Sequence, residues 1–198
     1  MASVVGICNQ AIARAGQTAT IAALTEASVA ARQCNAHWEQ VRDEVLQAFP
    51  WGCSTKRVLL SLIDEELVTN WQYCYSYPSD ALRIFALVSP ASRNPSLEDS
   101  IPYEIATHSG LKVILSDQFG AEAVYAWRQT DTAQYPPLLV KAMVAVLAAR
   151  IAPGLGKAEM VQGLESLAQR ALHEAAQADM NESNPGPMPD CDLIAARS

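Results

Sequence analysis

The groups in this chain that could do chemistry are five cysteines, three histidines and a few adjacent carboxylates. Cys34 and His37 stand three residues apart, which on a helix puts both on one face and could begin a metal site. The other ligands would have to come from Cys53, Cys74 or His108, and no C-x-x-C spacing supports that. A packed cysteine beside a surface or partly satisfied histidine is the favoured reading. The run Pro153-Gly154-Leu155-Gly156-Lys157 is the nearest approach to a phosphate loop. Such a loop needs glycine where Ile151 stands and Ser or Thr where Ala158 stands, so the run reads as a helix-breaking turn. No G-x-S-x-G nucleophile elbow occurs. Asp43 and Glu44, like Glu65 and Glu66, are neighbours whose side chains diverge on a helix, so they read as solvated charges rather than an acid–base pair. No catalytic residue, cofactor or metal is expected.

Two other constellations suggest joints rather than chemistry. Arg42 and Asp43 precede an aromatic plug, Phe49-Pro50-Trp51, and their favoured role is a salt bridge anchoring a helix end to a sheet. Trp71, Tyr73, Tyr75 and Tyr77 alternate with Gln72, Cys74 and Ser76, the period of a strand. That aromatic row has three readings: a sheet face buried against helices, a contact between subunits, or a base-stacking platform. Interface cores favour Tyr and Trp, whereas base stacking wants flanking Lys and Arg that are missing here.

Composition narrows the class. Half of the 198 residues are hydrophobic, which fits a folded chain with a sizeable core. The net charge of −7, with no basic run, disfavours phosphate neutralisation and so nucleic-acid binding of the simplest kind. The opening Met-Ala-Ser-Val-Val-Gly has neither a basic n-region nor a sustained apolar h-region, so no secretion signal is expected. The most apolar stretch, Leu138 to Ala152, is shorter than the roughly 20 residues of a membrane span and carries Lys141 and Arg150. It reads as a core helix. An odd number of cysteines without metal spacing reads as reduced thiols.

The elements that must position these residues follow from periodicity. A first helix is expected over Val4 to Ala15, capped by Ser3 and ended by Gly16. A second is expected over Glu26 to Ala48, capped by Thr25, stopped by Pro50 and buried through Ala27, Ala30, Cys34, Trp38, Val41 and Val45. The two should pack as an antiparallel hairpin. Residues 53–63 fit either a strand or a helical turn. Strands are expected over Trp71 to Tyr77, Leu82 to Val88 (with Arg83), Tyr103 to Thr107, Leu111 to Ser116 and Ala121 to Arg128. A third helix opens at Pro136-Pro137, and a fourth runs from about Lys157 to Met180 with a stripe including Leu164, Leu167, Ala168 and Ala171. The expected fold is therefore α+β: a four-helix bundle (1–52 and 135–182), an inserted antiparallel β meander (53–134) and an extended C-terminal tail (183–198).

The order of these pieces resembles a family. Arg42-Asp43-Glu44-Val45-Leu46, Phe49-Pro50-Trp51, Arg57-Val58-Leu59-Leu60 and Trp71-Gln72-Tyr73-Cys74-Tyr75-Ser76-Tyr77-Pro78-Ser79-Asp80-Ala81-Leu82-Arg83 are similar to tail tubular protein A, the head-to-tail adaptor of short-tailed bacteriophages. Cys8 to Gly16 is similar to that family's first helix, and Tyr135-Pro136-Pro137-Leu138 to the opening of its third. Phe49, where the family more often has histidine, and Gly52-Cys53 depart from the pattern.

The resemblance implies a structural virion protein in the neck of the tail, assembled in the host cytoplasm. It implies a twelve-subunit homo-oligomeric ring between the portal protein and the tail nozzle protein. DNA would pass through its channel without sequence-specific binding, and no membrane would be involved. It also implies a portal-docking arm, for which Asn184, Pro185, Pro187, Met188, Pro189, Leu193, Ile194 and Arg197 are the candidates. Trp38, Arg42, Asp43, Trp51, Trp71, Tyr73, Tyr75, Tyr77 and Arg83 are the candidates for a helix–sheet junction or subunit interface. Two rival classes stay open: a head-completion or stopper connector of a long-tailed phage, and a small cytosolic enzyme or regulatory domain.

Overall fold

A computed structural model describes residues 2–63, 70–93 and 97–182. All eight candidate arm residues lie outside that range. In chain order the elements are α1 (Val4–Arg14), α2 (Val29–Ala48), β1 (Thr55–Leu59), β2 (Tyr73–Ser76), β3 (Ala81–Val88), β4 (Glu104–His108), β5 (Leu111–Ser116), β6 (Glu122–Trp127), α3 (Pro137–Ile151) and α4 (Val161–Glu182).

Local chemistry explains most helix ends. The Ser3 hydroxyl accepts the Gly6 amide to start α1. Gly16, at φ 77°, closes it, with Gln17 N–H reaching Ile12 O and Gly16 N–H reaching Ala13 O. The second helix starts three residues later than its capping pattern suggests: Ser28 accepts the Ala31 amide, while the Glu26 carboxylate turns back to the Ala22 amide. Pro137 opens α3 at the position where a missing N–H costs nothing. At its far end Gly156 takes φ 73° and the Lys157 amide bonds Ala152 O. The glycines that mimic a phosphate loop thus end a helix.

The expected four-helix bundle with a single inserted meander is not what forms. The helices gather around α3, which packs on α4, α1 and α2, while α1 and α2 scarcely touch each other. The reason lies in α3 itself: Leu139, Met143, Leu147, Ile151 and five alanine or valine positions between them are buried, so it is apolar over most of its circumference and takes neighbours on several sides. The connection from α1 to α2 is also ordered rather than tight. The Asn9 side chain accepts the Ile21 amide and donates to the Ile21 carbonyl, pinning Ile21 in the helical core. On α4 the buried stripe is Leu164, Ala168, Ala171 and Ala175; Leu167 is 43% exposed.

In place of one meander the described residues form two three-stranded antiparallel sheets, ordered β1-β6-β3 and β2-β5-β4. The last strand inserts between the first and third, with Arg57 and Ala86 both opposite Val124. Residues 53–63 resolve as strand β1 followed by a crossing to the second sheet, where Leu62 bridges Tyr75. Register shifts in β3 at Leu82 and Phe85 bring Ile84 and Leu87 to the same face and let Leu82 pack on the helical core. That face meets Tyr75 and Ile114 of the second sheet, with Ala123 and Tyr125 completing the layer. Arg57 joins Glu122 across the first sheet and donates to the Ser92 carbonyl (2.8 Å). Among the described residues, no helix is long and apolar enough to cross a membrane.

Candidate functional site

Some of the residues quoted for the resemblance, Arg42, Asp43, Phe49, Trp51 and Arg83, meet where α2 ends against the first sheet. Pro50 stops α2, and Trp51 folds back on its last turn: the indole N–H donates to the Val45 carbonyl at 2.8 Å, and the ring is 1% exposed. Phe49 meets it edge-on, with ring centroids 5.0 Å apart. Trp38, two turns earlier on the same face as Val41 and Val45, is buried in the helical core.

Asp43 ties this helix end to the sheet. One carboxylate oxygen accepts Arg42 Nε at 2.9 Å and sits 2.8 Å from its Nη2; the other accepts Arg128 Nε at 2.9 Å, just past β6. Arg42 is 7% exposed, so Asp43 supplies the counter-charge that its burial needs. Arg83 adds a long bond to the Gln47 carbonyl (3.4 Å) and lies over the Phe85 ring. The Gly52 amide donates to both oxygens of Asp179 (3.2 and 3.1 Å), which fastens the plug to α4. Burial pushes the Asp179 carboxyl above the usual carboxylate range.

The aromatic row divides. Tyr73, Tyr75 and Tyr77 face the first sheet, so the buried face of the row lies against strands rather than helices. Tyr75 is 1% exposed, and its hydroxyl donates to the Gln118 carbonyl at 2.5 Å. Tyr73 meets Phe119 with centroids 5.6 Å apart, and Lys112 sits 3.8 Å over Tyr77. Trp71 belongs to the opposite face with Cys74, Val113 and Leu115, and donates to Glu104 at 2.9 Å.

A second polar cluster lies beside the joint. Lys56 bonds Asp80 at 2.8 Å and lies over the Trp127 ring, and the Tyr125 hydroxyl donates to the other Asp80 oxygen at 2.9 Å. The Lys56 hydrogen bond holds the Asp80 carboxyl below its ordinary value. Burial, reinforced by Asp80, pushes the Tyr125 phenol up to about 12. Tyr135 donates to the Gln129 carbonyl at 2.6 Å, and burial pushes it up to about 12 as well.

The candidate metal pair does not assemble. Cys34 turns to the thiol of Cys8, also fully buried, and that contact together with burial raises the Cys8 thiol. Among the described residues there is no group of three or more His, Cys, Asp and Glu that could hold a metal ion. Burial raises the Cys53 thiol to about 11, so it is a poor nucleophile at neutral pH.

Of the nine residues named for a helix–sheet junction or subunit interface, Arg42, Asp43, Trp51 and Arg83 stand near the end of α2, Trp38 lies in the helical core, and Trp71, Tyr73, Tyr75 and Tyr77 pack among the strands. Arg128 and Asp179 were not foreseen. They join partners 85 and 127 residues away, and no local pattern marks so distant a pairing. Trp71 was assigned to the same row as the tyrosines, but it lies on the other side of its sheet.

Neither the protein-family models nor the curated proteins give a match to this chain.

Proposed function

We propose that this chain is a head-to-tail adaptor of the kind found in short-tailed bacteriophages: a structural subunit that joins a portal to a tail nozzle. The observation that carries the proposal is the joint. Part of the stretch that resembles the adaptor family is spent on fixing a two-sheet lobe to a helical body, through Asp43 and Arg83. A lobe clamped to a body suits a subunit whose work is to hold a fixed shape between two others. The lobe also presents Leu59, Leu111 and Phe119 to solvent at 61%, 68% and 66% exposure, apolar side chains available to a neighbour.

In this reading the subunit forms a homo-oligomeric ring of about twelve copies in the virion neck, as the resemblance implies, and residues 184–198 reach the portal. It works without catalysis, and DNA passes through the ring unread, in keeping with the net charge of −7. A stopper or head-completion connector of a long-tailed phage is the second reading, favoured by the same joint. The two separate on whether the ring contacts a portal above and a nozzle below.

Deleting residues 184–198 tests the arm. The truncated chain is expected to keep its circular dichroism spectrum and to lose co-sedimentation with portal rings. Undiminished co-sedimentation would place portal recognition elsewhere in the chain. A reproducible hydrolase or nuclease activity lost on changing a single carboxylate would overturn the non-catalytic reading.

A further inference from the structure

The two sheets end in four outer strands, and three of those edges are closed or guarded. The outer side of β2 takes residues 61–63, with Ile63 N–H donating to Cys74 O and Ser76 N–H to Ser61 O. On the outer side of β3, Leu87 O accepts Ile101 N–H. The strand β1 carries Lys56 and Arg57, charged side chains of the kind that discourage edge-to-edge pairing. The edge of β4 has none of these devices. Its five residues, Glu104 to His108, include no proline, lysine, arginine or bulge, and Glu104, Ile105 and Thr107 are exposed. We propose that β4 pairs antiparallel with β4 of a second copy of this chain, joining two three-stranded sheets into one of six strands.

The hydrogen bonding of the lobe shows which groups are open. Tyr77 N–H donates to Lys112 O, so Lys112, Ile114 and Ser116 turn their backbone groups to β2. Leu111, Val113 and Leu115 then turn theirs to β4, where they face His108, Ala106 and Glu104. The turn agrees: Ser109 and Gly110, at φ 49° and 78°, form a two-residue hairpin loop that closes on the bonded pair His108 and Leu111. The N–H and C=O of Ile105 and Thr107 therefore point away from the sheet, and among the described residues none bonds them. The Ile105 side chain beside this open row is 43% exposed.

The strand is its own complement when it pairs about Ala106. Ile105 of each copy then stands opposite Thr107 of the other, and every outward N–H and C=O of these residues is used. Ala106 meets Ala106 in the close, non-bonded pair, where a small side chain fits. Glu104 stands opposite His108, a carboxylate facing an imidazole, whereas a parallel arrangement would bring Glu104 beside Glu104. Charge and register thus select a second copy, antiparallel. The contact closes on itself after two copies, so it is separate from the head-to-tail contact a ring needs and does not rest on the adaptor reading. So short a strand makes it a weak, concentration-dependent contact.

Sedimentation equilibrium of the full chain alone at rising concentration tests the pairing, with Thr107→Pro and Ile105→Lys beside it. Thr107→Pro removes an N–H that the fold does not use and sets a ring in the path of the incoming strand. Ile105→Lys puts a charge on the edge. The mass of the full chain is expected to climb from 21.4 kDa towards twice that value. The Ile105 and Thr107 amides should gain protection from hydrogen exchange as it climbs. Each variant should keep the circular dichroism spectrum of the full chain and weaken association at least about tenfold, because the change enters twice across the two-fold axis. A mass fixed at one chain throughout overturns the proposal, as does association without protection in β4 or a Thr107→Pro chain that associates as the full chain does. Portal binding, measured separately, is untouched by any of these failures.

Discussion

At the scale of single residues, the joint contains a group that works against it. Ser54 is fully buried between the Trp51 plug and β1, and its hydroxyl has no hydrogen-bond partner among the described residues. Its backbone is well used, donating to Trp51 O and accepting from Trp127 N–H, so only the side chain is uncompensated. Replacing Ser54 with alanine removes a desolvated hydroxyl and is expected to raise the stability by about 1 kcal/mol, read as a higher denaturant midpoint. A loss of that size would mean the hydroxyl is satisfied. Tyr125 gives a pH signature. Its folded pKa, about 12, lies above the ordinary phenol value of about 10. Its contribution is therefore whole below pH 10 and lost as the pH rises through 12. Tyr125→Phe should flatten the alkaline fall in Tm without abolishing it, because Tyr135 titrates in the same window. An unchanged slope would show that the phenol is not held protonated. Asp80 acts at the other end: its folded pKa is lowered, so its contribution is present above the ordinary carboxylate range and is lost as acid protonates it.

At the scale of elements, Asp43 is where helix and sheet are joined, and its two ion pairs are unequal. The side chain of Arg42 is 9% exposed and that of Arg128 is 55% exposed. Asp43→Ala strands the Arg42 charge and is expected to cost about 3 kcal/mol. Arg128→Ala should cost less than about 1 kcal/mol, because its charge is largely solvated. Equal losses in urea titrations of the two variants would contradict this division of labour. The same elements show what the sequence can express. Gly16 marks the end of α1 because a left-handed C′ residue is a local requirement that glycine meets by itself. The start of α2 is ambiguous because Thr25 and Ser28 offer the same capping chemistry, and Ser28 wins where its hydroxyl faces the Ala31 amide and Ala30 and Ala31 enter the core. Alternation identifies Tyr73, Tyr75 and Tyr77 as a strand, yet alternation names no partner. Placing β6 between β1 and β3 needs pairings across most of the lobe, such as Thr55 with Ala126. The shift at Phe85 also hides the two-residue period of β3, which reads as apolar on both faces.

At the scale of the molecule, α3 is the common floor on which three helices pack, while Asp43 ties α2 to the lobe through Arg128 and Asp179 ties the residue after Trp51 to the end of α4. Two exposed ion pairs, each worth little by itself, also run between helices: Glu44 with Arg150 from α2 to α3, and Lys141 with Glu174 from α3 to α4. A body so braced is suited to passing a fixed geometry from one neighbour to the next, which is the central claim of the adaptor reading. The acidic balance agrees with a channel that does not hold DNA. The most direct test of the adaptor proposal is the mass in solution, by light scattering, of the purified full chain alone and mixed with a candidate portal protein. The account predicts a complex whose added mass is a ring of subunits, about twelve of 21.4 kDa each. A chain that stays unassociated with portal and nozzle proteins alike would contradict it.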